Sequence, residues 1–524
     1  MKRLYLLVAF LVILTISSVV PGVSAATSPE MVQSLKEKLE SWDVEGLWPE
    51  VQEALARQPR DPDLLETASL VAYYRGDYRE SLELMKRAIE SGGEDEKRRG
   101  FARFTEETIN VLAPYQTHET PHFIISLDES RDGVLLDYLT DALEKTHQAM
   151  ARQYGFEPRE KVRIELFHDA KAFYLGSALS QRDIEVTGAV GLTKFNKLQF
   201  LTPRALVHGY RWLDAISHEY MHYLIFKMSA NKAPTWFHEG LAKYEETRWR
   251  DGPSYLSPLY RTLLARAQTD DRLIGFADMD PSLVYLDTPQ DVQLAYAQAA
   301  SAIEFIVSSA GGESLRKIME RMARSETEGA GEALREVLGM DLSEFEGKWK
   351  EFLASRELEP VSGVKVRRYR IREGTADDER MDLEEIKSLV ARNRTHLADR
   401  MKERGRTNAA VLEYRRALAE NQDSVPVMNR LSSTLIDLDR DEEALTMLKR
   451  ILELAPDHPT TYTRLGQVYL KLKDFTLARL AFEESVQINP FNPWVHVGLA
   501  NAYDQLGELE RSAKEREITN HLRR

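Results

Sequence analysis

From Ala391 to Arg524 the chain repeats itself every 34 residues, with no insertion between units. Units open near Ala391, Val425, Pro459 and Pro493, and the third carries Tyr462, Leu465, Gly466, Tyr469, Ala478, Phe482 and Pro490. The counterparts of Leu465, Gly466 and Ala478 are Leu397, Ala398 and Ala410 in the first unit and Leu431, Ser432 and Ala444 in the second. In the fourth they are Leu499, Ala500 and Ser512. Small residues at two of these three places let a pair of antiparallel helices approach closely. Pro456 and Pro490 then end the second helix of a unit and force the next turn. Each such unit packs on its neighbours, so this stretch must fold as a helical array.

The pattern resembles the tetratricopeptide repeat over residues 391–524. That resemblance implies fold and a protein partner, but no particular ligand, because the fold hosts many. A weaker copy precedes the middle of the chain. Ala68, Ser69, Gly76, Tyr78, Ser81, Met85 and Ala88 fit one unit starting at Pro62, and Pro59 closes a unit before it. Residues 28–115 therefore read as about two such repeats. Between the arrays the period changes. Residues 122–127, 162–167 and 198–201 read as short strands, with a helix from Leu135 to Tyr154 and a turn over Thr187 to Gly191. From Trp212 onward almost everything reads as helix, including a buried face on Leu342, Phe345, Trp349 and Phe352. Strands followed by helices predict an α+β domain over residues 118–356, with a charged linker over 357–385.

Several classes are excluded by composition. The chain has 524 residues, too many for one core, and a formal net charge of −14, which argues against nucleic acid as a partner. The basic run Arg367, Arg368, Arg370 and Arg372 is followed by acids and reads as a solvated strand or linker. There is no cysteine, so any metal must be held by His and carboxylate. Lys2 and Arg3, an apolar run from Leu4 to Val20 and the small residues Val23-Ser24-Ala25 read as a secretory signal over residues 1–25. A secreted or periplasmic protein is expected; retention of the segment as a membrane anchor stays open.

His218, Glu219 and His222 lie within one apolar helical stretch. Two histidines four residues apart share one helix face and can share one zinc ion, while Glu219 sits beside the metal and can take a proton from water. A catalytic zinc needs a third protein ligand and an open position. Glu239 opens a second helix seventeen residues beyond His222, with His238 next to it as the rival ligand. Asp214, one turn before His218, is a candidate partner for an imidazole N–H.

His218-Glu219-Tyr220-Met221-His222 followed by Trp236-Phe237-His238-Glu239-Gly240-Leu241-Ala242-Lys243-Tyr244 resembles the gluzincin zinc metallopeptidases. The nearest likeness is the peptidase MA-like domain that accompanies tetratricopeptide repeats. The resemblance implies an α+β peptidase domain, a small sheet plus a helical half, between helical repeat arrays. It implies His218, His222 and Glu239 as the ligands of Zn2+ and Glu219 as the catalytic base. From aminopeptidase N-type enzymes it implies Tyr296 as a donor to the oxyanion. Residues 188–191 are weighed as an edge strand for a peptide substrate. Where thermolysin-like sites carry an acid four residues after the ligand Glu, this chain has Lys243, so support for the ligands must come from elsewhere. The expected activity is zinc-dependent hydrolysis of peptide bonds, with the repeats holding substrate or a partner protein. No amine-anchoring acidic motif is evident, which leans toward an endopeptidase. The alternative is a non-enzymatic repeat scaffold or assembly factor with a vestigial or autoinhibited metallopeptidase domain.

Overall fold

The computed structural model describes residues 29–40, 42–92, 95–177, 189–252, 255–327, 329–366, 369–372 and 383–523. The expected signal segment, Thr187, Gly188, Arg367 and Arg368 lie outside the described residues. The first five helices are Pro29–Glu40, Val44–Arg57, Pro62–Arg75, Tyr78–Gly92 and Glu96–Leu112. In the third and fourth, Ser69 and Ser81 meet at the crossing, each hydroxyl donating to the other's backbone carbonyl at 2.7 and 2.8 Å. Ala68 and Ala88 are fully buried there, so the small residues allow a close pair as the repeat pattern predicts.

A five-stranded sheet follows: β1 (Gln116–Glu119), β2 (Phe123–Leu127), β3 (Val162–Phe167), β4 (Gly191–Lys194) and β5 (Lys197–Leu201), in spatial order β1-β2-β3-β5-β4. The central pairs β2–β3 and β3–β5 are parallel; both outer pairs are antiparallel. Ile125, Ile164 and Leu198 align across the central strands and are fully buried. β4 corrects the sequence reading. Gly191 does not end a turn but opens an edge strand, joined to β5 through Phe195 and Asn196. A hairpin turn of two residues favours Asn-Gly or a similar pair, and Phe195 takes a left-handed φ of 57° instead. Its ring stacks on Trp42 at 4.6 Å and lies 3.9 Å from Tyr74, so packing on the N-terminal helices offsets the strain.

Helices Trp212–Ser229, Thr235–Glu245, Pro258–Thr269, Pro289–Ala310, Glu313–Arg324, Gly331–Leu338 and Leu342–Ser355 complete the central domain. In the last, Phe345, Trp349 and Leu353 are buried while Leu342 and Phe352 are half-buried on the same core. Four helix pairs then run at the predicted period, beginning at Leu389, Val425, Pro459 and Pro493. Ala398, Ala410, Ser432, Ala444, Ala478, Ala500 and Ser512 are all buried between helices. At Gly466 an added Cβ would stand 2.6 Å from the Phe482 ring, which is why that crossing takes no side chain.

The array is docked on the central domain. Arg211 donates to Asp457 and Glu484 at 2.6 Å each and to the Tyr462 hydroxyl at 3.1 Å. Tyr210 N donates to Ile488 O, Trp212 N to Gln487 O and the Trp212 indole to Val486 O, all at 3.1 Å. The free N–H groups that open helix Trp212–Ser229 thus meet the carbonyls that close a repeat helix. The described part of the segment 357–385 also packs: Val207 N donates to Arg370 O at 3.0 Å, Arg372 N to Ala205 O at 2.7 Å, and Tyr369 packs on the central core. The expected solvated strand is a strap across the domain because its alternate residues Tyr369 and Ile371 are the apolar ones, and both turn inward.

Candidate metal centre

Helix Trp212–Ser229 presents His218 and His222 on one face, and the turn at Ala230 and Asn231, both at left-handed φ, folds helix Thr235–Glu245 back against it. The return places Glu239 Oε2 3.5 Å from His218 Nε2 and 3.5 Å from His222 Nε2. Ligands about 2.05 Å from one tetrahedral zinc lie roughly 3.3 Å apart, so the three donors already stand near that spacing. Glu239 Oε2 is buried and has no hydrogen-bond partner in good geometry among the described residues. A buried carboxylate oxygen aimed between two imidazole nitrogens calls for a cation. The electrostatics agree. Burial lowers the His218 imidazole, but Glu239 and Glu246 hold it up at about 9. Burial raises Glu239, yet the two imidazoles hold it far below the usual carboxylate range.

His238, the rival third ligand, is not in this cluster. Its ring lies 4.3 Å from Phe226 and 5.6 Å from His222, and burial pushes it down to about 3. On a helix the residue beside a ligand points about a quarter-turn away, so Glu239 and His238 cannot share the site equally.

The Glu219 side chain projects from helix Trp212–Ser229 toward edge strand β4. Thr193 donates to its carboxylate Oε2 at 2.7 Å. A Cβ at Gly191 would stand 2.7 Å from Glu219 Cγ, so this strand passes the carboxylate only because Gly191 lacks a side chain. Gly240 has the equivalent duty on the other side. A Cβ there would lie 2.5 Å from Ala299 O, so the glycine lets helix Pro289–Ala310 close on helix Thr235–Glu245. That approach brings the Tyr296 phenol near the Glu239 carboxylate. Burial and the Glu239 charge raise this phenol well above its ordinary value, so it is protonated at neutral pH and is a donor.

Support for His218 comes from a residue the sequence reading did not single out. Glu246 Oε2 stands 3.5 Å from His218 Nδ1, and Lys243 Nζ holds the other oxygen of Glu246 at 2.6 Å. Asp214 is instead paired with Arg250 at 2.6 Å and takes the Trp249 indole at 3.1 Å. The signal for Glu246 was available in the sequence: it lies seven residues, two helical turns, beyond Glu239 and one below Lys243. The centre opens into a cleft of about 1100 Å³. Its walls include β4, Tyr260, the strap residues Val366 and Tyr369, and Asp457 and Tyr462 of the repeats.

The family model of the Peptidase MA superfamily matches residues 140–355. Models of the tetratricopeptide repeat match residues 402–468 and 459–492. Among curated proteins, the chain is similar to the Hsp70-Hsp90 organizing protein of Triticum aestivum, 27% identical over 113 residues. That match covers 20% of this chain and spans only 19% of the wheat protein's length. It is also similar to a tetratricopeptide repeat protein 36 homolog of Drosophila melanogaster, 31% identical over 151 residues, which are 26% of this chain and 80% of that protein. A solved structure of MamA from Desulfovibrio magneticus RS-1 is 23% identical, covers 26% of this chain and 76% of that one, and has a TM-score of 0.25.

Proposed function

Because this chain is a tetratricopeptide repeat protein that carries a Peptidase MA superfamily domain ahead of its repeats, we propose that it is a zinc-dependent peptidase. The observation that supports this best is the convergence of His218 Nε2 and His222 Nε2 on one unpartnered, buried oxygen of Glu239. These three residues would hold the ion, which when bound supplies Lewis-acid polarisation of the scissile carbonyl and acidifies water. Glu219, oriented by Thr193, takes the proton of the attacking water and passes it to the leaving amine. Tyr296 donates its phenol hydrogen bond to the developing oxyanion. The substrate enters extended along edge strand β4, whose outer edge faces the cleft. The repeats hold a protein partner or substrate close to the cleft they help to wall.

Cleavage of a peptide library by the full chain, suppressed by chelator and by Glu219→Gln, is the expected result. Cleavage unchanged in Glu219→Gln would refute the reading. A second reading, an autoinhibited or scaffold role, is supported by the strap and repeat residues that wall the cleft. Intact zinc content with no cleavage of any peptide would favour it. We also propose secretion or periplasmic location, with the mature protein beginning at Ala26. N-terminal sequencing that finds residues 1–25 retained would favour the anchor instead. No described helix is long and apolar enough to cross a membrane.

A further inference from the structure

A second group of nitrogen and carboxylate donors stands behind the helix that carries His218 and His222. His122, at the entry to β2, His147 in helix Leu136–Tyr154, and Glu157 just beyond that helix bring one donor atom each within 4.8 Å of one another. His147 Nε2 lies 3.1 Å from Glu157 Oε2. The remaining ring nitrogens are anchored. His122 Nδ1 is 2.6 Å from Glu144 Oε2, and His147 Nδ1 is 2.9 Å from the hydroxyl of Tyr220. Imidazoles that ligate through one nitrogen characteristically hold the other against a carboxylate or a similar partner, which fixes tautomer and orientation.

We propose that His122, His147 and Glu157 form a second, structural metal site for a zinc-class divalent cation. Two imidazoles and one carboxylate suit zinc, cobalt, nickel or copper rather than calcium or magnesium. With Nε2 of His147 on the ion, the ring proton must sit on Nδ1 and be donated to Tyr220, which lies between His218 and His222. The ion thereby ties β2, helix Leu136–Tyr154 and the segment after it to the back of the HExxH helix. His147 is 3% exposed and rigidly placed. The side chains of His122 and Glu157 are 38% and 66% exposed, so the ion enters from solvent. The His122 and His147 rings stack at 3.7 Å with 24° between planes. To ligate, the His122 ring leaves the stack by pivoting on its Nδ1 contact with Glu144, so this ion is held more weakly than the one at His218, His222 and Glu239.

The test titrates zinc into the metal-stripped full chain by calorimetry, beside His122→Ala, Glu157→Gln, His222→Ala and the His122→Ala/His222→Ala double variant. Two binding events are expected in the wild type, one in each single variant and none in the double variant. Added zinc should raise Tm in His222→Ala but not in the double variant. A single event in the wild type, unchanged in His122→Ala and Glu157→Gln, overturns the second site. Two events in His222→Ala with one in His122→Ala would support it while refuting the ligand set proposed for the first.

Discussion

Replacing Gly240 by Ala sets two opposed effects against each other, and the structure decides between them. Within a helix, Ala is favoured over Gly by about 1 kcal/mol. At Gly240, however, the new Cβ would lie 2.5 Å from Ala299 O and 2.7 Å from Ala299 C. Both are backbone atoms of a packed helix and cannot swing aside. Ordinary contact begins roughly 0.9 Å further out, so the two helices must separate by that order, at a cost of about 1–3 kcal/mol. Overpacking therefore equals or exceeds the propensity gain. The larger effect falls on chemistry, because Gly240 adjoins Glu239 and the opposing helix carries Tyr296. A misplacement near 1 Å between groups that must act together costs on the order of 100-fold in turnover. Gly347→Ala is the matched control: this helical glycine has nothing within 4 Å of an added Cβ, and the substitution should stabilise by up to about 1 kcal/mol. Thermal unfolding of both variants, zinc content and peptide turnover make the comparison. If Gly240→Ala gains stability as Gly347→Ala does and keeps its turnover, the close approach is not what positions Tyr296.

Tyr296→Phe should keep zinc and Tm while kcat falls about 100- to 1,000-fold, since only the oxyanion donor is lost; near-wild-type kcat would make Tyr296 a packing residue. Glu246→Gln should weaken zinc binding about 10- to 100-fold without abolishing it, measured by competition with a chromophoric chelator, because it frees His218 Nδ1 from its charged partner. Asp132 gives a pH prediction. Burial raises its carboxyl to about 6, against the lowering effect of Arg204 and Thr202. The folded chain then binds this proton more tightly than the unfolded chain, so this group's contribution to stability is present below about pH 4 and falls as pH rises to about 6. Relative to Asp132→Asn, denaturant unfolding of the wild type should lose roughly 1–3 kcal/mol across that window, and a flat difference would refute the assignment.

Sequence alone was enough wherever a physical requirement repeats or is local. The array was legible because each unit needs small residues at the same two crossings, and Ala398, Ser432, Gly466 and Ala500 supply them at a constant interval. The spacing of His218 and His222 is likewise set by one helical turn, and Glu239 joins them once two helices pair. Tertiary structure decided what depends on contacts between distant segments. β4 was hidden because the strain at Phe195 is offset by Trp42 and Tyr74, aromatic residues more than a hundred positions away. Glu246 rather than Asp214 supports His218, since Arg250 captures Asp214 from another element. The strap and the repeats reach the cleft through Tyr369 and through Arg211 with Asp457, pairings that leave no periodic trace. Local periodicity records the geometry within an element; which charge meets which, and what closes over a site, is set only when the elements pack.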